Sequence, residues 1–311
     1  MSQVIYSALR EKYPDLIIHV LAPNTTLPLI TRMPEVDRGI LMDQNHGQLG
    51  LDYRFRLGSD LKKNNYDWSI VTPNSLKAAL VPFIAGVQLR TGFLGEYRYL
   101  LLNDIRLLDK SRLPLMTDRF LALVGESSSE MISPRLTVDK EAQLAFLDNY
   151  GLSIDKPIIG FCPGAEFGDA KKWPEEHYAE LASLLIKRGY SVWILGSPSD
   201  LLTGDVIASR AGDGCVNLAG RTSIPDVIDL LALCRSVVTN DSGLMHIAAA
   251  VGTKVIAIYG STSPEFTPPI IENSQILSLE LGCSPCFKRS CPLGHKNCLN
   301  LLMPEQVLEC I

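Results

Sequence analysis

No stretch of this 311-residue chain approaches the roughly 20 uncharged apolar residues that a membrane-spanning helix needs. The longest apolar segments, such as Ala78 to Leu89, are interrupted by Pro82 or by small residues and suit a buried core. The N-terminus lacks the charged-then-apolar pattern of a secretory signal. Ser2 to Tyr13 reads instead as one amphipathic helix with Val4, Ile5, Ala8 and Leu9 on one face, so a soluble, cytoplasmic protein is expected. Excess positive charge is also lacking: 29 Lys plus Arg against 34 Asp plus Glu leave a net charge of −5, which disfavours nucleic acid as a partner. No internal repeat, heptad run or low-complexity tract appears. Eight cysteines in a chain this long, with Cys162 and Cys234 inside apolar stretches, describe reduced thiols rather than a small disulfide scaffold.

What is present is enough for two domains, since the length is about twice the ~150-residue prior for one and 46% of residues are hydrophobic. From residue 157 onward short apolar runs alternate with helix-period segments. Strands are predicted at 157–162, 191–195, 236–239 and 254–259, and helices at 174–188, 200–210, 224–234 and 242–251, with Gly189, Gly212 and Gly252 where helices should stop. Strict alternation predicts a parallel sheet covered on both faces. The first half repeats the theme less cleanly: helix 2–13, strand 16–21, a helical stretch near 57–65, strand 67–72, helix 75–85 and a short strand at 88–92. It opens on a helix, whereas a doubly wound domain normally begins with its central strand and a turn that carries chemistry. Residues 127–157 read as the edge of the first domain and a hinge, which places the domains at 1–152 and 153–311.

Several catalytic signatures are missing. There is no Gly-x-x-x-x-Gly-Lys phosphate loop, no Gly-x-Gly-x-x-Gly fingerprint and no Gly-x-Ser-x-Gly elbow, which argues against P-loop hydrolysis, ordinary NAD chemistry and a Ser-His hydrolase. Three strand-to-helix turns remain at the carboxyl ends of predicted parallel strands, the edge where open α/β sheets bind ligands. In PGAEFGDAKKWP (163–174), Gly164 and Gly168 permit close backbone approach, and Lys171 and Lys172 offer ammonium groups to a phosphate; a flexible loop with solvated lysines reads equally well. In TNDSGLMH (239–246), Asp241 or Ser242 is expected to cap a helix whose free amides favour an anion, with His246 one turn deeper. The plain alternative is a well-capped helix with a satisfied histidine. YGSTSP (259–264) again supplies glycine and hydroxyls at a strand end.

Taken together, CPGAEFGDAKKWP, LAGRTS, VTNDSGLMHIAAA and YGSTSPEFTPP resemble the ADP-heptose:lipopolysaccharide heptosyltransferases of glycosyltransferase family 9. In the first half RMPEVDRGI, the stretch from Tyr66 to Asp104 and PLM-x-x-R-F at 114–120 are similar to the same family, so the likeness spans essentially the whole chain. The resemblance implies an α/β GT-B fold, two Rossmann-like doubly wound domains facing across a cleft, the second holding an ADP-sugar and the first a lipid-linked acceptor. It implies inverting, metal-independent transfer of L-glycero-D-manno-heptose from ADP-heptose to the lipopolysaccharide inner core, as the second heptose, with no cofactor. Carried over position by position, Lys171 would meet the diphosphate. The amides of Ser242 and Gly243, with the Ser242 hydroxyl, would cradle phosphate oxygens, and Asp241 would contact the transferred heptose. His246 would support that helix turn, Gly164, Ala165, Glu166 and Phe167 would line the pocket, and Thr222 and Ser223 would lie near the adenosine. The family's general base is an Asp in the Gly-rich turn after its first strand. Met1-Ser2-Gln3 matches the positions just after that turn, so the expected base lies before Met1, and no acidic residue of the first half replaces it by pattern.

Two alternatives follow from the same residues: an ADP-sugar-binding protein impaired in catalysis because it lacks that base, and a sugar-nucleotide epimerase of the same fold, which the NDSGLMH turn does not suit. A lipid-linked acceptor implies work at the inner face of the inner membrane, where Lys62, Lys63, Arg90, Arg98 and Arg106 offer charge to anionic lipid, unless they are simply solvated. Cys283, Cys286, Cys291 and Cys298, with His295 between them, gather thiols that can hold zinc or an iron–sulfur cluster, although zinc-ribbon spacing is absent; loop thiols without metal are the favoured reading.

Overall fold

The computed structural model describes residues 1–44, 47–125 and 132–311. The chain divides into two compact units. One comprises Met1–Thr31 with Glu35–Ile132, and the other Arg32–Pro34 with Ser133–Ile311. Part of the expected hinge, residues 127–131, lies outside the described residues.

In the first unit the elements run α1 (Gln3–Lys12), β1 (His19–Pro23), α2 (Leu27–Ile30), β2 (Arg38–Met42), α3 (Leu51–Leu61), β3 (Trp68–Val71), α4 (Leu76–Ile84), β4 (Leu89–Phe93), β5 (Asp104–Arg106) and α5 (Met116–Ala122). The predicted face of α1 is the one that is buried, with Val4, Ile5, Ala8 and Leu9 packed on Ile18, Leu121 and Val124. Among the described residues every strand pair in the unit is parallel, and the strands form two separate sheets, β1-β2 and β3-β4-β5, rather than one continuous sheet. The strand expected at 16–21 begins later. Pairing starts at His19 opposite Arg38, while the Leu16 carbonyl is taken by Arg10 and the Ile18 amide by Asp37. The helix expected near 57–65 starts earlier, at Leu51, and ends in a 3-10 turn over Lys62–Asn64.

The five basic residues expected to offer charge to anionic lipid divide in two. Lys62 and Lys63 are exposed. Arg98, expected as a surface charge, is instead 1% exposed, because its guanidinium satisfies the carbonyls of Pro73, Ser75 and Phe93. Arg90 is likewise spent on the carbonyls of Val87 and Leu101, and Arg106 pairs with Asp104 at 3.0 Å.

The second unit continues with α6 (Lys140–Tyr150), β6 (Ile158–Cys162), α7 (Glu175–Lys187), β7 (Ser191–Ile194), α8 (Leu201–Ala211), β8 (Cys215–Asn217), α9 (Ile224–Leu231), β9 (Ser236–Asn240), α10 (Gly243–Ala250), β10 (Lys254–Tyr259), β11 (Ser274–Ser278), α11 (Asn297–Asn300) and α12 (Pro304–Leu308). Its six strands form one parallel sheet in the order β11-β10-β9-β6-β7-β8. All five residues of β6 and of β9 are buried, as near-continuous apolar strands covered on both faces should be. Ile159, Phe161, Val192, Ile194, Val238, Ile256 and Ile258 project to one face and pack on α7, Ile207 of α8 and Leu299 of α11. On the opposite face Gly160 leaves room for Leu231 and Cys234, since a Cβ there would stand 3.1 Å from the Cys234 sulfur.

Local signals start and stop these helices. Asp139 caps α6 by accepting from the amides of Glu141 and Ala142, and Ser223 with Asp226 forms a capping box on α9. Gly189, Gly212 and Gly252 follow α7, α8 and α10 with φ of 84°, 85° and 83°, the left-handed conformation glycine adopts without penalty. The units divide near residue 133 rather than at 152, because α6 is fastened to the second unit. The buried Asp229 carboxylate accepts the Asp139 amide at 2.8 Å, and Gln143 Nε2 donates to the Asp229 carbonyl at 2.7 Å. Arg32 joins them through two bonds to the same carboxylate, at 3.1 and 2.8 Å. Among the described residues no helix is long and apolar enough to cross a membrane.

Candidate functional site

β6, β9 and β10 lie side by side in the second sheet, so the turns that leave their carboxyl ends are neighbours. Two consecutive residues at the end of β9 lash the three turns together. Asn240, fully buried, accepts at Oδ1 from the Trp173 amide (3.1 Å) and the Tyr178 hydroxyl (3.3 Å), and donates from Nδ2 to the Pro163 carbonyl (2.6 Å). It ties the first turn to the second at both ends of the 163–174 segment. Asp241 then reaches both neighbours with one oxygen: Oδ2 lies 2.5 Å from Lys171 Nζ in the first turn and 2.7 Å from Thr262 Oγ1 in the third. The pair is sheltered, with side chains 14% and 6% exposed, so the attraction is screened less than a surface ion pair would be. Lys171 also stands 5.0 Å from the centroid of the Phe167 ring, a cation–π contact.

The second turn leads into α10 with Ser242 at the N-cap. Contrary to the expectation from sequence, neither Asp241 nor Ser242 caps the helix. Ser242 is extended and makes no side-chain cap bond, its hydroxyl lying 3.4 Å from that of Thr239, while Asp241 is engaged by Lys171 and Thr262. The first-turn amides therefore keep their capacity to bind an anion. A Cβ built on Gly243 would meet nothing within 4 Å, so the backbone there is open to close approach. One turn deeper, half-buried His246 has its pKa lowered to about 4, chiefly because burial disfavours the imidazolium, and it is neutral at physiological pH.

Other expected residues make other contacts. Gly164 is needed for a protein contact, since a Cβ would stand 2.4 Å from Oδ2 of Asp200, which folds back to accept from the amide and hydroxyl of Ser197. Ala165 and Phe167 are partly exposed and Glu166 is exposed along the same turn. Lys172 leans toward Asp200 at 3.7 Å. Thr222 and Ser223 follow β8, two strands beyond β6 at the edge of the sheet. They make no bond to the Asn240–Asp241 cluster: the Ser223 hydroxyl is used in the α9 cap, and Thr222 Oγ1 lies 3.4 Å from the Leu218 carbonyl.

Cys283, Cys286, Cys291 and Cys298 are all free thiols. Among the described residues no group of three or more His, Cys, Asp or Glu side chains is arranged to hold a metal ion. Cys291 nonetheless has a lowered pKa, mainly through the Lys296 amide, and Cys298 a raised one, first through burial. The loop that carries them is fastened to the site. The Phe287 amide donates to the Ser261 carbonyl (2.7 Å), Ser284 Oγ to the Gly260 carbonyl (2.5 Å) and the Ala170 amide to the Arg289 carbonyl (3.1 Å).

Asn240 and Thr262 sit inside segments the sequence singles out, but nothing in residue type alone shows that their side chains bridge turns. The position of Asn240 at the end of an otherwise apolar strand was the available signal. For Thr262 and for the approach of the cysteine-rich loop there was none.

Residues 54–297 match the glycosyltransferase family 9 (heptosyltransferase) family. The chain is 43% identical to lipopolysaccharide heptosyltransferase 2 of Escherichia coli K12, over 99% of this chain and 92% of that one. It is 46% identical to lipooligosaccharide heptosyltransferase 2 of Haemophilus influenzae, over 99% and 93%. Among solved structures it is similar to E. coli ADP-heptose lps heptosyltransferase II, with a TM-score of 0.89 at 41% identity, covering 99% of this chain and 92% of that chain.

Proposed function

The chain belongs to glycosyltransferase family 9 and has the GT-B fold, and from that premise we propose that it transfers L-glycero-D-manno-heptose from ADP-heptose to a lipopolysaccharide inner core, adding the second heptose. The observation that carries this reading is the Asp241 carboxylate held between Lys171 and Thr262 at the foot of an uncapped helix. Such a corner offers both things a nucleotide diphospho-sugar needs: cation and amide donors for the diphosphate, and a fixed carboxylate for sugar hydroxyls.

In this reading the α10 amides and the Lys171 ammonium take up the charge that grows on the ADP leaving group, the role a divalent metal plays elsewhere. Asp241 accepts from hydroxyls of the transferred heptose and keeps it in line for attack. Neutral His246 packs beneath the turn without adding a competing charge. Phe167, with Gly164, Ala165 and Glu166, forms the pocket wall. Attack by the acceptor hydroxyl from the face opposite ADP inverts the anomeric carbon, and the proton from that hydroxyl goes to a base outside this donor corner. A lipid-linked acceptor brings the protein to the inner face of the inner membrane, with Lys62 and Lys63 among the exposed charges of the first unit.

The test supplies ADP-heptose and a core acceptor bearing one heptose, with and without a chelator, and reads product stereochemistry by NMR. Heptosylation with inversion at an unchanged rate in chelator is the expected result. Retention, or a rate restored only by added divalent cation, would overturn the mechanism, and preference for a UDP-sugar would overturn the donor.

A further inference from the structure

The charges around the first turn do not balance evenly. Lys171 is neutralised by Asp241 and Lys172 leans on Asp200, yet Arg289 has no carboxylate within ion-pair distance among the described residues. Its guanidinium carbon lies 5.6 Å from the centroid of the Phe167 ring, the same ring that Lys171 approaches to 5.0 Å. Lys171 already has its counter-ion in Asp241, so Arg289 is the cation at this ring whose charge has, among the described residues, no carboxylate to meet it.

The arrangement is held from the backbone. The Arg289 carbonyl accepts the Ala170 amide, and it stands only 2.3 Å from where a Cβ on Gly168 would be, so the loop reaches this position only because residue 168, at φ +149°, is glycine. Phe287 and Ser284 fix the same loop to the turn after β10. An exposed arginine is thus carried on an irregular loop to the edge of the donor corner, its head group against the Phe167 ring and with no carboxylate partner among the described residues.

We propose that Arg289 binds the diphosphate of the donor nucleotide alongside Lys171, an assignment that rests on the ADP-sugar reading above. The planar fork of a guanidinium suits two oxygens of one phosphate, which a lysine ammonium grips only as a point charge. The cysteine-rich loop then acts as the arm that supplies this second cation.

Calorimetric titration with ADP and with adenosine tests the assignment on the whole protein. Arg289→Gln is expected to weaken ADP at least tenfold and leave adenosine unchanged, which also shows that the variant is folded. Arg289→Lys should recover part of the loss, and Lys288→Gln, an exposed neighbour, should bind ADP as the native protein does. If Arg289→Gln binds ADP normally, or loses adenosine equally, the assignment is wrong while the donor reading stands. If the native protein binds neither ADP nor ADP-heptose, the donor reading itself fails.

Discussion

Lys171 Nζ lies 2.5 Å from Asp241 Oδ2, joining two turns that are 70 residues apart in sequence. Removing either partner strands the other in a sheltered place, which costs more than an intact pair contributes. Lys171→Met is expected to raise the KM for ADP-heptose at least tenfold and to lower stability by about 1–3 kcal/mol. Asp241→Asn, which keeps the shape, should cut kcat far more than it weakens ADP. Steady-state kinetics with ADP inhibition separates the two. Equal losses in kcat and ADP affinity for Asp241→Asn would argue against a contact to the sugar.

Thr262 Oγ1 donates to the same carboxylate oxygen at 2.7 Å. A hydrogen bond to a charged group contributes roughly 1.5–3 kcal/mol, so Thr262→Val should lower kcat/KM by about 10- to 100-fold if that energy is realised in the transition state. Thr262→Ser should restore most of it. A variant with native kinetics would show that Asp241 holds its orientation without this bond.

Asn240 answers three backbone or side-chain partners from a fully buried position. Asn240→Ala leaves the Pro163 carbonyl, the Trp173 amide and the Tyr178 hydroxyl unpaired, at a cost of about 2–4 kcal/mol. Denaturant unfolding should show this as a lower midpoint. An unshifted midpoint would mean that water replaces the amide at no cost.

His246 sets a pH dependence. Its pKa falls from 6.5 to about 4 on folding, so between those values the unfolded chain binds a proton that the folded one refuses. Stability is full above about pH 6.5 and declines as the pH falls toward 4, by at most about 3 kcal/mol from this group. The difference between native protein and His246→Asn, measured by chemical denaturation across pH 4–7, should narrow with falling pH. A constant difference would place the imidazole in an environment no different from water.

How much of this was legible depended on where the signal lay. β6, β9 and β10 could be read because strands buried on both faces are continuous apolar runs, and the turns after them could be read because glycine, lysine and hydroxyl residues follow directly. β8 and β11 escaped: Cys215–Asn217 is only three residues long, and Ser274–Ser278 is a largely solvent-facing edge strand. Arg98 was misread because a sequence pattern does not show three backbone carbonyls converging on one guanidinium. The cap on α10 was misread for the opposite reason, since the carboxylate that suits an N-cap is drawn away by a lysine and a threonine from neighbouring turns. Cross-turn bonds of this kind form only once strand order is set, so residue type and spacing alone do not reveal them.

The most direct measurement is mass spectrometry of a core acceptor bearing one heptose after incubation with ADP-heptose and the protein purified from the cell that makes it. The account predicts a product heavier by one heptose residue and one ADP released per transfer, both lost in Asp241→Asn. An acceptor left unchanged while ADP-heptose binds with ordinary affinity would contradict it.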